Sequence, residues 1–174
     1  MGYRRTLRRA FACTGIGLHS GRAVRLRLLP APAEHGIRFA RTDVGVEIPA
    51  TLAHIGSQDH ATTLTRDGVS IGTVAHPLAT LAGLGVDDVS DAVAGPAVRA
   101  LDGSAAPFVI LLHEAGLRPL AVPRLHLRVK EPVEVVHGAK RARLVPSDHF
   151  EVAYSIGFDH PLLRHQAFAL RVTP

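Results

Sequence analysis

Thr73-Val-Ala-His-Pro-Leu-Ala-Thr-Leu-Ala-Gly-Leu-Gly85 decides how this chain is read. Val74, Leu78, Leu81 and Ala82 recur at helical spacing, so Val74 to Leu84 reads as a helix. Thr73 is its candidate N-cap and Gly85 its C-terminal stop. Pro77 is compatible only because it lies in or near the first turn. A second helix follows: Ser104 caps it, Pro107 sits in the first turn, and Gly116 ends it. Phe108, Leu111, Leu112 and Ala115 form its apolar stripe. Between the helices, Val86 to Ala94 reads as a strand.

Upstream the chain is a series of short strands cut by Gly and Pro. Thr6 to Cys13 is strand-like and is broken by Thr14-Gly-Ile-Gly17. Ala23 to Leu29 alternates apolar residues with Arg, as a half-buried strand does. Ile37 to Arg41 and Ala61 to Leu64 read the same way. After Arg118-Pro119 and Pro123 the texture changes. His126 to Val129, Val133 to Val136, Ala142 to Val145, Val152 to Ile156 and Phe168 to Val172 are strand-like, and no helix follows any of them. Strands without a covering layer leave an apolar face open. The fold class is therefore α+β: a small sheet with two helices on one face, followed by an incomplete unit made mostly of strands.

The 174 residues suit one compact domain or two small ones. An apolar fraction of 47% with 20% charged residues excludes a disordered chain. No apolar run is long enough to span a membrane. No apolar stretch follows the basic N-terminus, which argues against a secretory signal and makes the cytoplasm the expected compartment. The single Cys13 excludes a disulfide framework and reads as a small buried hydrophobe. The net charge is +5, but the Arg residues are scattered. Without Trp and with two Tyr, the chain has few stacking platforms, so nucleic acid is not an expected partner.

Eleven His direct attention to metal or proton chemistry. His76 stands near the start of the first helix, where the dipole disfavours protonation and leaves a neutral imidazole. No His-x-x-x-His pair is present, so a structural His76 is the plain alternative. Leu101-Asp-Gly-Ser-Ala-Ala-Pro-Phe108 is either a capped helix start or an anion-binding turn. Thr14-Gly-Ile-Gly-Leu-His19-Ser-Gly21 is Gly-rich but lacks the Lys-Ser/Thr of a P-loop. No Gly-x-Ser-x-Gly elbow is present to support a serine hydrolase. Phe158 is a stacking or a core residue, and Lys140 a phosphate contact or a solvated charge.

These segments occur together with Thr6-Leu-Arg-Arg9, Pro30-Ala-Pro-Ala33, Arg41-Thr-Asp43, Lys130-Glu131 and Phe158-Asp-His-Pro161. In that order and spacing, from Tyr3 to Val172, the chain resembles the UDP-3-O-acyl-N-acetylglucosamine deacetylases, the zinc amidases of lipid A biosynthesis. The resemblance implies two similar domains, each a small sheet carrying two helices, with the active site between the helix layers. Residues 3–120 would form the first domain, and 124–174 the opening strands of the second.

In that family a Glu-His pair opens the first helix: the His binds zinc, and the Glu is the general base for the metal-bound water. Here the pair reads Ala75-His76, which keeps the ligand and lacks the base. The family's further zinc ligands, in a His-Lys-x-x-Asp stretch, have no counterpart in the chain. By the same resemblance Phe158 corresponds to an aromatic stacking on uracil, and Lys140 to a basic residue near the diphosphate. Asp59, His60 and Ala61 fall in the loop flanking the acyl passage, and His19 corresponds to a substrate-lining or architectural His. The implied ligand is a UDP-linked acylated glucosamine. Two readings follow: a truncated deacetylase homologue, inactive as it stands, or a non-catalytic module binding a UDP-sugar, a partner chain or itself through the uncovered second sheet. A chain with no retained function is the third.

Overall fold

The computed structural model describes residues 2–16, 23–59, 61–98 and 103–173. The chain divides into two compact units, the first ending at Arg124 and the second beginning at Leu125.

The first unit contains β1 (Tyr3–Leu7), β2 (Phe11–Ile16), β3 (Ala23–Pro30), β4 (Ile37–Arg41), β5 (Val46–Pro49), β6 (Leu64–Arg66) and β7 (Val69–Ile71). It continues with α1 (Ala75–Gly83), β8 (Val89–Val93), α2 (Ala106–Ala115) and β9 (Leu117–Pro123). Five strands form the main sheet in the order β2-β3-β8-β4-β5, antiparallel except for the β4–β8 pair. The alternation of β3 sorts its residues: Leu26 and Leu28 are buried and Arg27 is exposed. The same face receives Phe39, Ile48, Val89 and Val93, and these share one core with Leu81 of α1 and with Phe108 and Leu112 of α2. At ~25 cal/mol per Å2, each such fully buried Leu or Phe contributes about 2 kcal/mol.

Several expected elements differ. The strand expected from Thr6 to Cys13 is two strands, broken at residues 8–10. β1 pairs with β9, whereas β2 pairs with β3, so the chain must change partner there. Arg8 N–H donates to the Gly116 carbonyl across that break. β2 continues through Thr14 to Ile16, where a break was expected. β9 lies where Pro119 and Pro123 argued for a boundary, and the expected end of the first domain, Leu120, falls inside it. Proline is tolerated in this two-stranded ribbon because it needs a donor on one side only. Thr73 does not cap α1; its φ is +60°, and Val74 takes the cap position without a side-chain bond. Ala105, not Ser104, is the N-cap of α2, although Ser104 Oγ accepts the Ala106 N–H at 3.2 Å.

Arg4, Arg5 and Arg9 of the basic N-terminus make long-range side-chain contacts. Arg4 forms a two-pronged pair with Asp88, at 2.6 and 2.7 Å. Arg5 donates to the Leu84 and Gly85 carbonyls at the end of α1, Arg124 donates to Gly85, and Arg9 donates to the Glu114 carbonyl. Cations on helix C-terminal carbonyls stabilise that end of the dipole.

The second unit is two hairpins, β10 (Val133–His137) with β11 (Lys140–Leu144), and β12 (Phe150–Gly157) with β13 (His165–Val172). His126 to Val129 is not a strand. Phe150, Val152, Tyr154, Phe168 and Leu170 share one face of the second hairpin by register, and all are exposed. With two helices and many strands in small sheets, the described residues form an α+β fold. No helix among them is long and apolar enough to cross a membrane.

Candidate functional site

The start of α1 is built by three segments. Gly72 N–H bonds to the Pro96 carbonyl, and Val74 N–H bonds to the Thr62 carbonyl at 3.2 Å, so the 61–63 loop meets the helix entry. His76 lies in the first turn, with Nε2 3.2 Å from the Gly103 carbonyl just ahead of α2. Its Nδ1 is buried without a hydrogen-bond partner. The Gly103 contact suits an Nε2–H donor and leaves the lone pair on Nδ1. The Thr80 hydroxyl donates to the His76 carbonyl at 2.8 Å and steadies the turn. Ala75 is exposed beside it, with a methyl group that can take no proton.

Ala61 is half-buried in the loop that reaches α1, and Thr63 Oγ1 donates to its carbonyl at 3.3 Å. Asp59 is held within the same loop by the Ser57 hydroxyl at 2.6 Å. His19 and His60 lie outside the described residues. Ala61 and His76 are thus brought to one helix entry in the first unit. Lys140 and Phe158 belong to the second unit. Lys140 opens β11 opposite His137, and Phe158 follows β12, its N–H donating to the Arg164 carbonyl at 3.1 Å.

The chain matches the family model LpxC, UDP-3-O-acyl N-acetylglycosamine deacetylase, over residues 4–174. It is 46% identical over 168 residues to the UDP-3-O-acyl-N-acetylglucosamine deacetylase of Anaeromyxobacter dehalogenans, covering 97% of this chain and 54% of that protein. The Myxococcus xanthus protein of the same name is also 46% identical, over 95% of this chain and 54% of its own length. That of Hahella chejuensis is 45% identical, over 92% and 54%. The chain belongs to the LpxC family. It spans about half the length of these relatives.

Zinc, implied by the resemblance to this family, does not fit the described residues taken alone. His76 is one donor, its Nε2 is turned to a carbonyl, and no group of three His, Cys, Asp or Glu side chains converges among the described residues. A catalytic zinc needs about three protein ligands. Two features of this LpxC-family chain escaped the sequence reading. One is an open groove of about 490 Å3 in the second unit, lined by Arg128, Val129, Lys130, Pro146, Ser147 and Asp148. These side chains come from two segments separated by a hairpin, so no local motif announces them. The other is the His149 ring, between Asp148 Oδ1 at 2.5 Å and Glu151 Oε2 at 3.3 Å. The hydrogen bond to Asp148, followed by that to Glu151, raises its pKa above the ordinary histidine range.

Proposed function

We propose that this chain is a partial UDP-3-O-acyl-N-acetylglucosamine deacetylase homologue of lipid A biosynthesis, inactive as it stands. The observation that carries the reading is Ala75 beside His76 at the entry to α1, in a chain that matches the family over residues 4–174. A hydrolytic water requires a base within hydrogen-bond reach, and Ala75 is not one. The further proposal, that residues 124–174 are the opening strands of a second, similar domain, agrees with two hairpins whose apolar side chains stand exposed. Phe158, Lys140, Ala61, His60 and His19 are the proposed substrate contacts, and the cytoplasm the proposed location.

The test is acetate release from the UDP-linked substrate, with the C-terminal half of a full-length relative supplied in trans. The expected result is no release above background by the unaltered chain and measurable, chelator-sensitive release by Ala75→Glu. Chelator-sensitive release by the unaltered chain would overturn the reading.

The non-catalytic binding reading has one observation of its own. Arg128 and Lys130 place two cations on one groove, against the single carboxylate of Asp148, a net positive charge that suits a diphosphate. Calorimetric titration with UDP tests it, with loss of binding expected in Arg128→Ala and Lys130→Ala. No heat from the unaltered chain removes it.

A further inference from the structure

The central strand of the main sheet carries one carboxyl group into the apolar face. Register identifies its neighbours: Phe11 pairs with Leu28, Leu28 with Asp91, Asp91 with Phe39, and Phe39 with Ile48. One row across all five strands therefore reads Phe, Leu, Asp, Phe, Ile. Asp91 is 0% exposed, as are Phe39 and Ile48 in its row and Val89 and Val93 on either side along β8. Neither Asp91 oxygen has a hydrogen-bond partner.

Among the described residues, no charged group on the surrounding elements answers it. Arg41, one row along on β4, gives its guanidinium to both Asp43 oxygens and to the Ser70 carbonyl. Arg27, Arg38 and Glu47 belong to the opposite sheet face by alternation, and Arg38 pairs with Glu47. Cys13 lies in the neighbouring row, opposite Leu26. On the helices, His76 faces Gly103, while His113 and Glu114 are exposed. An ionised carboxylate in such a place loses its hydration and gains nothing in return, so the neutral acid is the form the site accepts.

We propose that the core of the first unit is a proton-dependent element: Asp91 is buried as the neutral acid, and the unit takes up a proton when it folds. Burial pushes the Asp91 carboxyl well up from its ordinary range. The stability it permits is fully present below the unfolded value of about 4 and is lost as pH rises toward the folded value. Across that window one proton is released on unfolding, so the unfolding constant rises up to about tenfold per pH unit. Asp43 and Asp88 are held low and titrate below the window, with the opposite sign.

Equilibrium urea unfolding of the whole chain, followed by circular dichroism between about pH 5 and 8, tests this. The unaltered chain is expected to lose stability as pH rises. Asp91→Asn is expected to flatten that dependence, and Asp91→Val to flatten it and raise the midpoint at neutral pH. Isotope-edited infrared spectra at neutral pH are expected to show a protonated carboxyl band that Asp91→Asn removes, which decides the matter even if a variant folds poorly. The same pH slope in the unaltered chain and in Asp91→Asn, or no protonated Asp band at neutral pH, would overturn the proposal.

Discussion

Asp88 and Asp91 lie three residues apart, both with no exposure, and they behave oppositely. Burial alone would raise the Asp88 carboxyl, but hydrogen bonds from Arg4 and from the Gly36 N–H, with the Arg4 charge, hold it below the ordinary carboxylate range. Asp91 has burial and nothing else. Arg4→Ala strands a buried carboxylate and should cost about 3 kcal/mol at neutral pH. The sign follows from the lowered folded value. The Asp88 contribution is present above its unfolded pKa and is lost as pH falls below about 4. Urea midpoints of Arg4→Ala and the unaltered chain should therefore converge in acid. A gap that stays constant through that range would mean that Arg4 acts by packing and not by charge. The alternation of Val89, Asp91 and Val93 was legible in the sequence. Whether each Asp found a partner was not, because Arg4 lies 84 positions from Asp88.

At the scale of elements, the β6–β7 hairpin was missed: the strand expected from Ala61 to Leu64 meets β6 at one residue. The missed signal was Asp67-Gly68, whose φ values of +52° and +75° make the two-residue turn that matches strand twist. A Cβ at Gly68 meets open space, so Gly68→Ala tests backbone strain alone and should cost about 1 kcal/mol. Gly85, past the end of α1, has a similar φ of +64°, but a Cβ there lies 2.9 Å from the Arg5 and Arg124 guanidinium nitrogens. Gly85→Ala should therefore cost more than Gly68→Ala in matched denaturation curves. Equal losses would show that the two Arg side chains simply swing aside. α1 and α2 were visible from their spacing and stop residues. The α1 cap was not, because the Val74 N–H bond to the Thr62 carbonyl arises only once the 61–63 loop is in place, whereas Ser104, next to the α2 cap, was legible as a local acceptor.

At the scale of the whole molecule, the two units differ in what covers them. The first encloses Leu26, Phe39, Val89, Leu81 and Phe108 in one core. The second leaves Phe150, Tyr154 and Phe168 more than 60% exposed. Isolated hairpins are marginal in water. A fragment ending at Arg124 should unfold cooperatively on heating, and one beginning at Leu125 should show no transition and should bind a hydrophobic dye. A cooperative transition in the second fragment would mean that its hairpins pack by themselves or self-associate.

The sequence alone determined the fold class, the two helices, most strands and the presence of Ala75 beside His76, because these depend on periodicity and residue identity over short spans. Only the tertiary structure decided that Arg4 pairs with Asp88 and Arg5 serves the end of α1, that His76 turns Nε2 to Gly103, and that Asp91 is enclosed without a partner. Those outcomes depend on strand order and register, which join residues far apart in the chain and which no local pattern encodes.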